Sequence, residues 1–257
     1  MIGLRPADGP GLGSARAALE LRDVTAGYGD HTVLHGIDIR VEMGQVVALL
    51  GPNGSGKTTL LRTAAGLLTA DAGAVLIDGQ DVTGLATHRR ARAGLCLIPE
   101  GRGVFKQLTV RENLLLALPA GDRASAIAPA IDAFPVLGKR LGQLAGTMSG
   151  GEQQMLALCR AFLTRPKLVI LDEVSIGLAP RIVDDIFGAL STLPSRNVAV
   201  LLVEQYIHRA LEIADHVYLL TRGRLTFSGS PAQLDEHEVI KGYLGADLSA
   251  DVKPSRG

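Results

Sequence analysis

Val46-Val47-Ala48-Leu49-Leu50 runs without a polar break into Gly51-Pro52-Asn53-Gly54-Ser55-Gly56-Lys57-Thr58-Thr59-Leu60-Leu61. A short, continuously apolar run of this kind suits a strand buried on both faces of a parallel sheet. The stretch that follows fits G-x-x-x-x-G-K-[ST], and it opens a segment, 57–68, in which Leu60, Leu61, Ala64, Leu67 and Leu68 recur at helical spacing and read as core. A strand, a glycine-rich turn and a helix are the context in which that motif has chemical meaning. The glycines let successive backbone N–H groups curve around phosphates with no Cβ in the way. The positive end of the helix then faces the anion. Lys57 is expected to reach β- and γ-phosphates, and the Thr58 hydroxyl to ligate Mg²⁺.

Two further segments extend this reading. Leu168-Val169-Ile170-Leu171 ends in Asp172-Glu173, a buried strand presenting two adjacent carboxylates. Alone, such an ending is commonly a strand edge. Beside a phosphate loop, Asp172 suits a Mg²⁺ shell and Glu173 a general base for an attacking water. Met148-Ser149-Gly150-Gly151-Glu152-Gln153 precedes a helix read over 152–164, with Ser149 as N-cap and Glu152 completing a capping box. That local role accounts for the pair. The exposed amides and hydroxyl of a second helix start also make an anion site, which one chain does not need twice for one nucleotide. Two chains could use both, one closing Ser149 and Gly151 over the other's γ-phosphate.

Working outward, Val198 to Val203 is a third run of the buried-strand kind, stopping at Glu204, and 180–190 reads as a helix. Strands alternating with helices give an α/β fold. Earlier, Leu19 and Leu21 alternate with polar residues up to a turn at Gly27-Tyr28-Gly29-Asp30. Ile37, Ile39 and Val41 do the same, and Ala74 to Ile77 enters a hairpin at Asp78-Gly79. This part predicts antiparallel pairing. The stretch from Val110 to Gly146 is helical in character, without a strong strand signal. The expected organisation is a loose tail over 1–17, one domain over 18–245 with a helical insertion at about 95–155, and a loose tail over 246–257.

Composition narrows the classes. The 257 residues hold 26 basic and 26 acidic side chains, so no net charge draws the chain to nucleic acid, and none is expected as a partner. Aromatic residues are 4% and Trp is absent, which argues against a base-stacking platform. Cys96 and Cys159 lie in apolar runs with no metal-ligand spacing, and read as buried free thiols in a reducing compartment. No run approaches the ~20 apolar residues of a membrane-spanning helix, and Met1 to Ala17 lacks the apolar core of a signal peptide. The six histidines form no ligand-like pair with acids and read as surface or packing residues. Arg89-Arg90-Ala91-Arg92 reads as a solvated basic run before a strand. Leu114 to Leu118 suits either core or a groove for a partner helix.

The motifs Gly51 to Thr58, Ser149 to Gln153 and Leu168 to Glu173, in this order, resemble those of the ATP-binding subunits of ABC transporters, the likeness running from about Leu19 to Gly245. Pro99-Glu100-Gly101-Arg102, the stretch Gly146 to Ala157, Gly177-Leu178-Ala179-Pro180 and Leu202-Val203-Glu204-Gln205 are similar to the LivF-type subunits of branched-chain amino-acid importers. The resemblance implies a P-loop (RecA-like) nucleotide-binding domain with an antiparallel β subdomain and an inserted helical subdomain. It implies ATP and Mg²⁺ as ligands, held by Tyr28 stacking on adenine, by Gly51, Pro52, Asn53, Gly54, Ser55, Gly56, Lys57, Thr58 and Thr59, and across a dimer by Ser149, Gly150, Gly151 and Glu152. Thr58, Glu100 and Asp172 are the implied metal contacts, and Glu173, Gln205, Glu100 and Lys57 the implied catalytic group. Ile176 to Ala179 corresponds to a loop that crosses the dimer interface.

There are departures. Glu100 stands where most members have Gln, Gln205 where most have a His that contacts the γ-phosphate, and Val174 where most have Pro. Gln205 keeps an amide donor, so phosphate contact survives, and Glu173 is expected to sustain hydrolysis. Valine at 174 leaves the backbone freer and restores an N–H, with only modest loss of activity expected. The implied setting is the cytoplasmic face of the membrane, beneath two permease subunits, beside a second ATP-binding subunit in a homo- or heterodimer, with an external solute-binding protein acting through the permease. Branched-chain amino acids are the implied cargo. Urea or short amides are the alternative cargo, and a catalytically weak partner subunit is the alternative role.

Overall fold

The computed structural model describes residues 16–99, 101, 103–118, 126–204 and 206–234. Glu100, Gln205 and most of both expected tails lie outside the described residues. The first strand takes in Ala17, one residue earlier than the expected start of the domain. Strand β1 (Ala17–Tyr28) begins with Ala17 opposite Glu42, and Ala17 and Ala18 are both buried.

An antiparallel sheet orders β2 (His31–Glu42), β1, β4 (Ala72–Ile77) and β5 (Gln80–Asp81) side by side. The hairpin between β4 and β5 turns at Asp78 and Gly79, both with positive φ, as a two-residue turn of type I′ demands. The second sheet runs β10 (Arg224–Gly229), β9 (His216–Thr221), β3 (Val46–Leu50), β8 (Ala199–Val203), β7 (Leu168–Asp172), β6 (Leu95–Ile98). Its five strands β9 to β6 are parallel, and β10 closes one edge antiparallel.

The unbroken apolar runs are explained by what covers each face of this sheet. Val46, Ala48 and Leu50 enter one core with Val169, Leu171, Val200 and Leu202. Val47 and Leu49 enter the other, with Leu168, Ile170, Leu201 and Val203, beneath the antiparallel sheet and α1 (Lys57–Ala65). The first core is closed by α3 (Val110–Leu116), α4 (Ala128–Ala133), α5 (Pro135–Gly138), α6 (Gly150–Leu163) and α7 (Pro180–Leu190). Helices α2 (Thr87–Ala93) and α8 (Ile207–Ile213) complete the chain order. The helical lobe therefore starts after β6, not at 95. Leu95 to Ile98 pair in parallel register with β7 and belong to the main sheet.

Two further expectations fail. Helix α1 stops at Ala65 because Gly66 adopts a left-handed C-cap, so Leu67 leaves the helical face and is 58% exposed. Arg90, read as part of a solvated run, is 1% exposed. Its guanidinium donates to the carbonyls of Thr63, Ala64, Thr83 and Leu85, which are the end of α1 and the approach to α2. A planar fork of donors satisfies carbonyls that the helix end cannot.

Cys96 and Cys159 are buried free thiols, and burial pushes the Cys96 thiol up to about 11 and raises that of Cys159 too. Among the described residues no helix is long and apolar enough to cross a membrane. Because four carbonyls lose their donor, Arg90→Ala is expected to lower stability by about 3 kcal/mol or more, with Arg90→Lys recovering only part of it. The denaturation midpoint at unchanged m-value is the measurement.

Candidate nucleotide site

The site lies where the parallel strands end. Leu49 is level with Val203 on β8, and Val203 is level with Asp172 on β7. The loop after β3 and the two acids after β7 therefore emerge on the same rim, with β8 between them.

In that loop Gly51, Gly54 and Gly56 have φ of 155°, 75° and 109°. A Cβ at Gly51 would come within 2.1 Å of the Leu220 carbonyl oxygen, so this glycine is required by the close approach of β9. The Ser55 carbonyl accepts from Gly223 N–H, at the turn joining β9 to β10, which braces the loop from outside. Helix α1 starts at Gly56 with no side-chain cap and no acid in its first turn. Among the described residues the buried Ser55 hydroxyl has no hydrogen-bond partner, and none lies within 4 Å of a Cβ built at Gly54. Orphaned donors, an uncapped helix start and open space at Gly54 fit phosphate groups.

Lys57 is 6% exposed, and its Nζ donates to the Gly51 carbonyl at 2.7 Å and the Pro52 carbonyl at 3.1 Å. Burial pulls its ammonium below the ordinary value, and Glu173 and Asp172 oppose that shift. Those two carboxylates are thus close enough to act on Lys57. Thr58 is exposed and Thr59 is buried at 6%. Asn53 is exposed and Pro52 half-buried. A hydroxyl at Thr58 and the carboxylate of Asp172 (8% exposed) are hard oxygen donors of the kind Mg²⁺ takes beside a nucleotide's phosphates. Tyr28 ends β1 at 46% exposure, its phenol accepting from Arg62 at 3.3 Å. An exposed ring beside α1 is available for stacking.

Glu173 takes φ of 49°, a left-handed conformation rare for a non-glycine residue. It shares a cleft of about 300 Å³ with Gly101, Gly103, Lys106, Gln154 and Ile176. Val174, in the position of the family's proline, is 3% exposed and packs in the core.

The second helix start has contacts of its own. Ser149 caps α6 by accepting from Glu152 N–H at 3.3 Å, and the Glu152 carboxylate accepts from Ser149 N–H at 3.0 Å. Glu152 also pairs with Arg140 at 2.9 Å. A Cβ at Gly151 would meet the Ile182 side chain at 2.7 Å, so α7 gives this glycine a packing reason of its own.

A family model described as "ABC transporter" matches residues 34–175, more than half of the chain. The chain belongs to the ABC transporter family. It is 40% identical to the high-affinity branched-chain amino acid transport ATP-binding protein BraG of Pseudomonas aeruginosa, covering 88% of this chain and 99% of BraG. It is also 40% identical to the probable branched-chain amino acid transport ATP-binding protein LivF of Archaeoglobus fulgidus, over 84% of this chain and 93% of LivF. Identity to the lipopolysaccharide export system ATP-binding protein LptB of Escherichia coli is 32%, over 90% of this chain and 99% of LptB. Among solved structures, the ADP conformation of MJ1267, an ATP-binding cassette of an ABC transporter, superposes with a TM-score of 0.76 at 25% identity, covering 91% of this chain and 97% of MJ1267. The P-loop fold, nucleotide binding and ATPase class read from the motifs all hold in this family.

Sequence reasoning passed over the β9–β10 hairpin, although Arg222-Gly223 (φ 48° and 72°) is a recognisable turn pair. It also gave no role to Ser175, which is buried between the acids and β8. Ser149→Ala is expected to cost about 1 kcal/mol through loss of the cap, and Ser149→Asp, itself a good N-cap, much less. Chemical denaturation of the two variants checks this.

Proposed function

We propose that this chain is the ATP-hydrolysing subunit of an importer for branched-chain amino acids. The observation that carries the cargo is the 40% identity to BraG across nearly the whole of both chains, against 32% to LptB. The alignment of Lys57, Asp172 and Glu173 on one rim supports the hydrolytic role.

In this reading the amides of 54–58 and Lys57 bind the phosphates, and Lys57 moves from the Gly51 and Pro52 carbonyls to the β- and γ-oxygens. Thr58, Asp172 and Glu100 hold Mg²⁺, which neutralises charge on the phosphates when bound. Glu173 accepts the proton of the attacking water, Gln205 donates to the γ-phosphate and Tyr28 stacks on the adenine. The Ser149 hydroxyl and the amides of Gly150 and Gly151 face the γ-phosphate of a second ATP-binding subunit, with Glu152 fixing their geometry. The capping box supports this by holding the helix start rigid.

The membrane partners are two integral membrane permease subunits, which this chain meets at the cytoplasmic face and a solute-binding protein serves from outside. Their contact is assigned to the helical lobe. Leu114 is core at 1% exposure, whereas Leu116 and Phe105 are exposed at 58% and 57% on the rim of a cleft of about 240 Å³. So Leu114 to Leu118 is divided between core and docking surface.

The test is uptake of labelled leucine, and separately of labelled urea, in cells lacking this chain and complemented with wild type or Glu173→Gln. Leucine uptake restored by wild type alone is the expected result. Loss of urea uptake instead overturns the cargo, and no change in either overturns the importer reading.

A further inference from the structure

The loop that carries Glu173 is held by the end of β8 at two points. Before the turn, Glu173 N–H donates to the Val203 carbonyl at 2.9 Å. After it, Ser175 N–H donates to Glu204 Oε1 at 3.1 Å, and the Ser175 hydroxyl donates to Glu204 Oε2. Glu204 and Ser175 are both 0% exposed. Between the two anchors stands Glu173 with φ of 49°. A non-glycine residue keeps such a conformation only where its surroundings over-determine it, since the left-handed region is disfavoured by roughly 1–3 kcal/mol. A buried carboxylate accepting two hydrogen bonds is a strong anchor of that kind.

We propose that Glu204 is a positioning residue for hydrolysis, holding Ser175 so that the Glu173 carboxylate stays in its left-handed backbone setting at the rim of the sheet. The inference rests on the reading of Glu173 as general base. Glu204 touches no reacting atom in this scheme. It acts on Glu173 through Ser175. General bases lose much of their effect when displaced by about 1 Å, which sets the scale of the consequence.

The test uses the full-length chain, measuring kcat and KM for ATP, affinity for a fluorescent ATP analogue and melting temperature. Glu204→Ala is expected to lower kcat by about tenfold to a hundredfold, with KM and analogue affinity changed less than about twofold. Glu204→Gln can still accept from Ser175 N–H and donate to the Ser175 hydroxyl, and is expected to restore kcat to within about threefold of wild type. Ser175→Ala, which keeps the buried carboxylate, is expected to lower kcat severalfold. In that background Glu204→Ala is expected to cost less than it does alone. Fully additive losses, wild-type kcat in Glu204→Ala or in a well-folded Ser175→Ala, or losses shared equally between kcat and analogue affinity would overturn the proposal. Glu173→Gln separates the two readings. If it abolishes turnover while Glu204→Ala keeps the wild-type kcat, only the role of Glu204 falls. If it leaves turnover intact, the general-base reading falls, and the role of Glu204 with it.

Discussion

A buried ammonium with two backbone carbonyls for company is the constraint on which the nucleotide site depends. Lys57 is removed from water by the loop that precedes it, and desolvation works against its charge. The Gly51 and Pro52 carbonyls and the field of Glu173 and Asp172 offset that penalty. The arrangement holds because β3, β8 and β7 are neighbours in register, so that their ends finish level. Sliding one of these strands by a residue would turn its core side chains to the opposite face and carry the acids away from the ammonium.

The same level ending explains why glycine and strain gather at this rim. Gly51 has no room for a Cβ against Leu220, and Glu173 sits in a left-handed turn. Strain of this sort is tolerated where the surrounding structure is rigid. Here the rigidity comes from a sheet buried on both faces and from the Glu204–Ser175 contact beneath Glu173.

Much of this was legible in the chain of residues, because the deciding signals are local. A glycine-rich loop between an apolar run and a helix, two acids closing an apolar run, and a Ser149–Glu152 capping box each declare their structure within a few residues. What escaped was set by distant contacts. Arg90 looks like its solvated neighbours Arg89 and Arg92, and only the arrival of the α1 end buries it. A strand after Arg92 was readable, but that Leu95 to Ile98 belong to the main sheet and not to the helical insertion follows only from pairing with β7, far along the chain. Glu204 showed only as the polar stop of an apolar run, and its meaning needed Ser175 beside it. The family resemblance, by contrast, carried the expectations for Glu100 and Gln205, which lie outside the described residues.

The central claim is that one chain supplies two halves of different sites, Lys57 with Glu173 on one side and Ser149 on the other. Mixing two variants tests it directly. Lys57→Ala and Ser149→Asp are each expected to be inactive when alone, since every site formed between like chains would contain one damaged half. Combined, they form some pairs in which an intact Lys57 half meets an intact Ser149 half. ATP hydrolysis that reappears on mixing, in proportion to the mixed pairs, is the result this account predicts. Hydrolysis by the mixture no greater than that of the separate variants, under conditions where the wild-type chain turns over ATP, would contradict it.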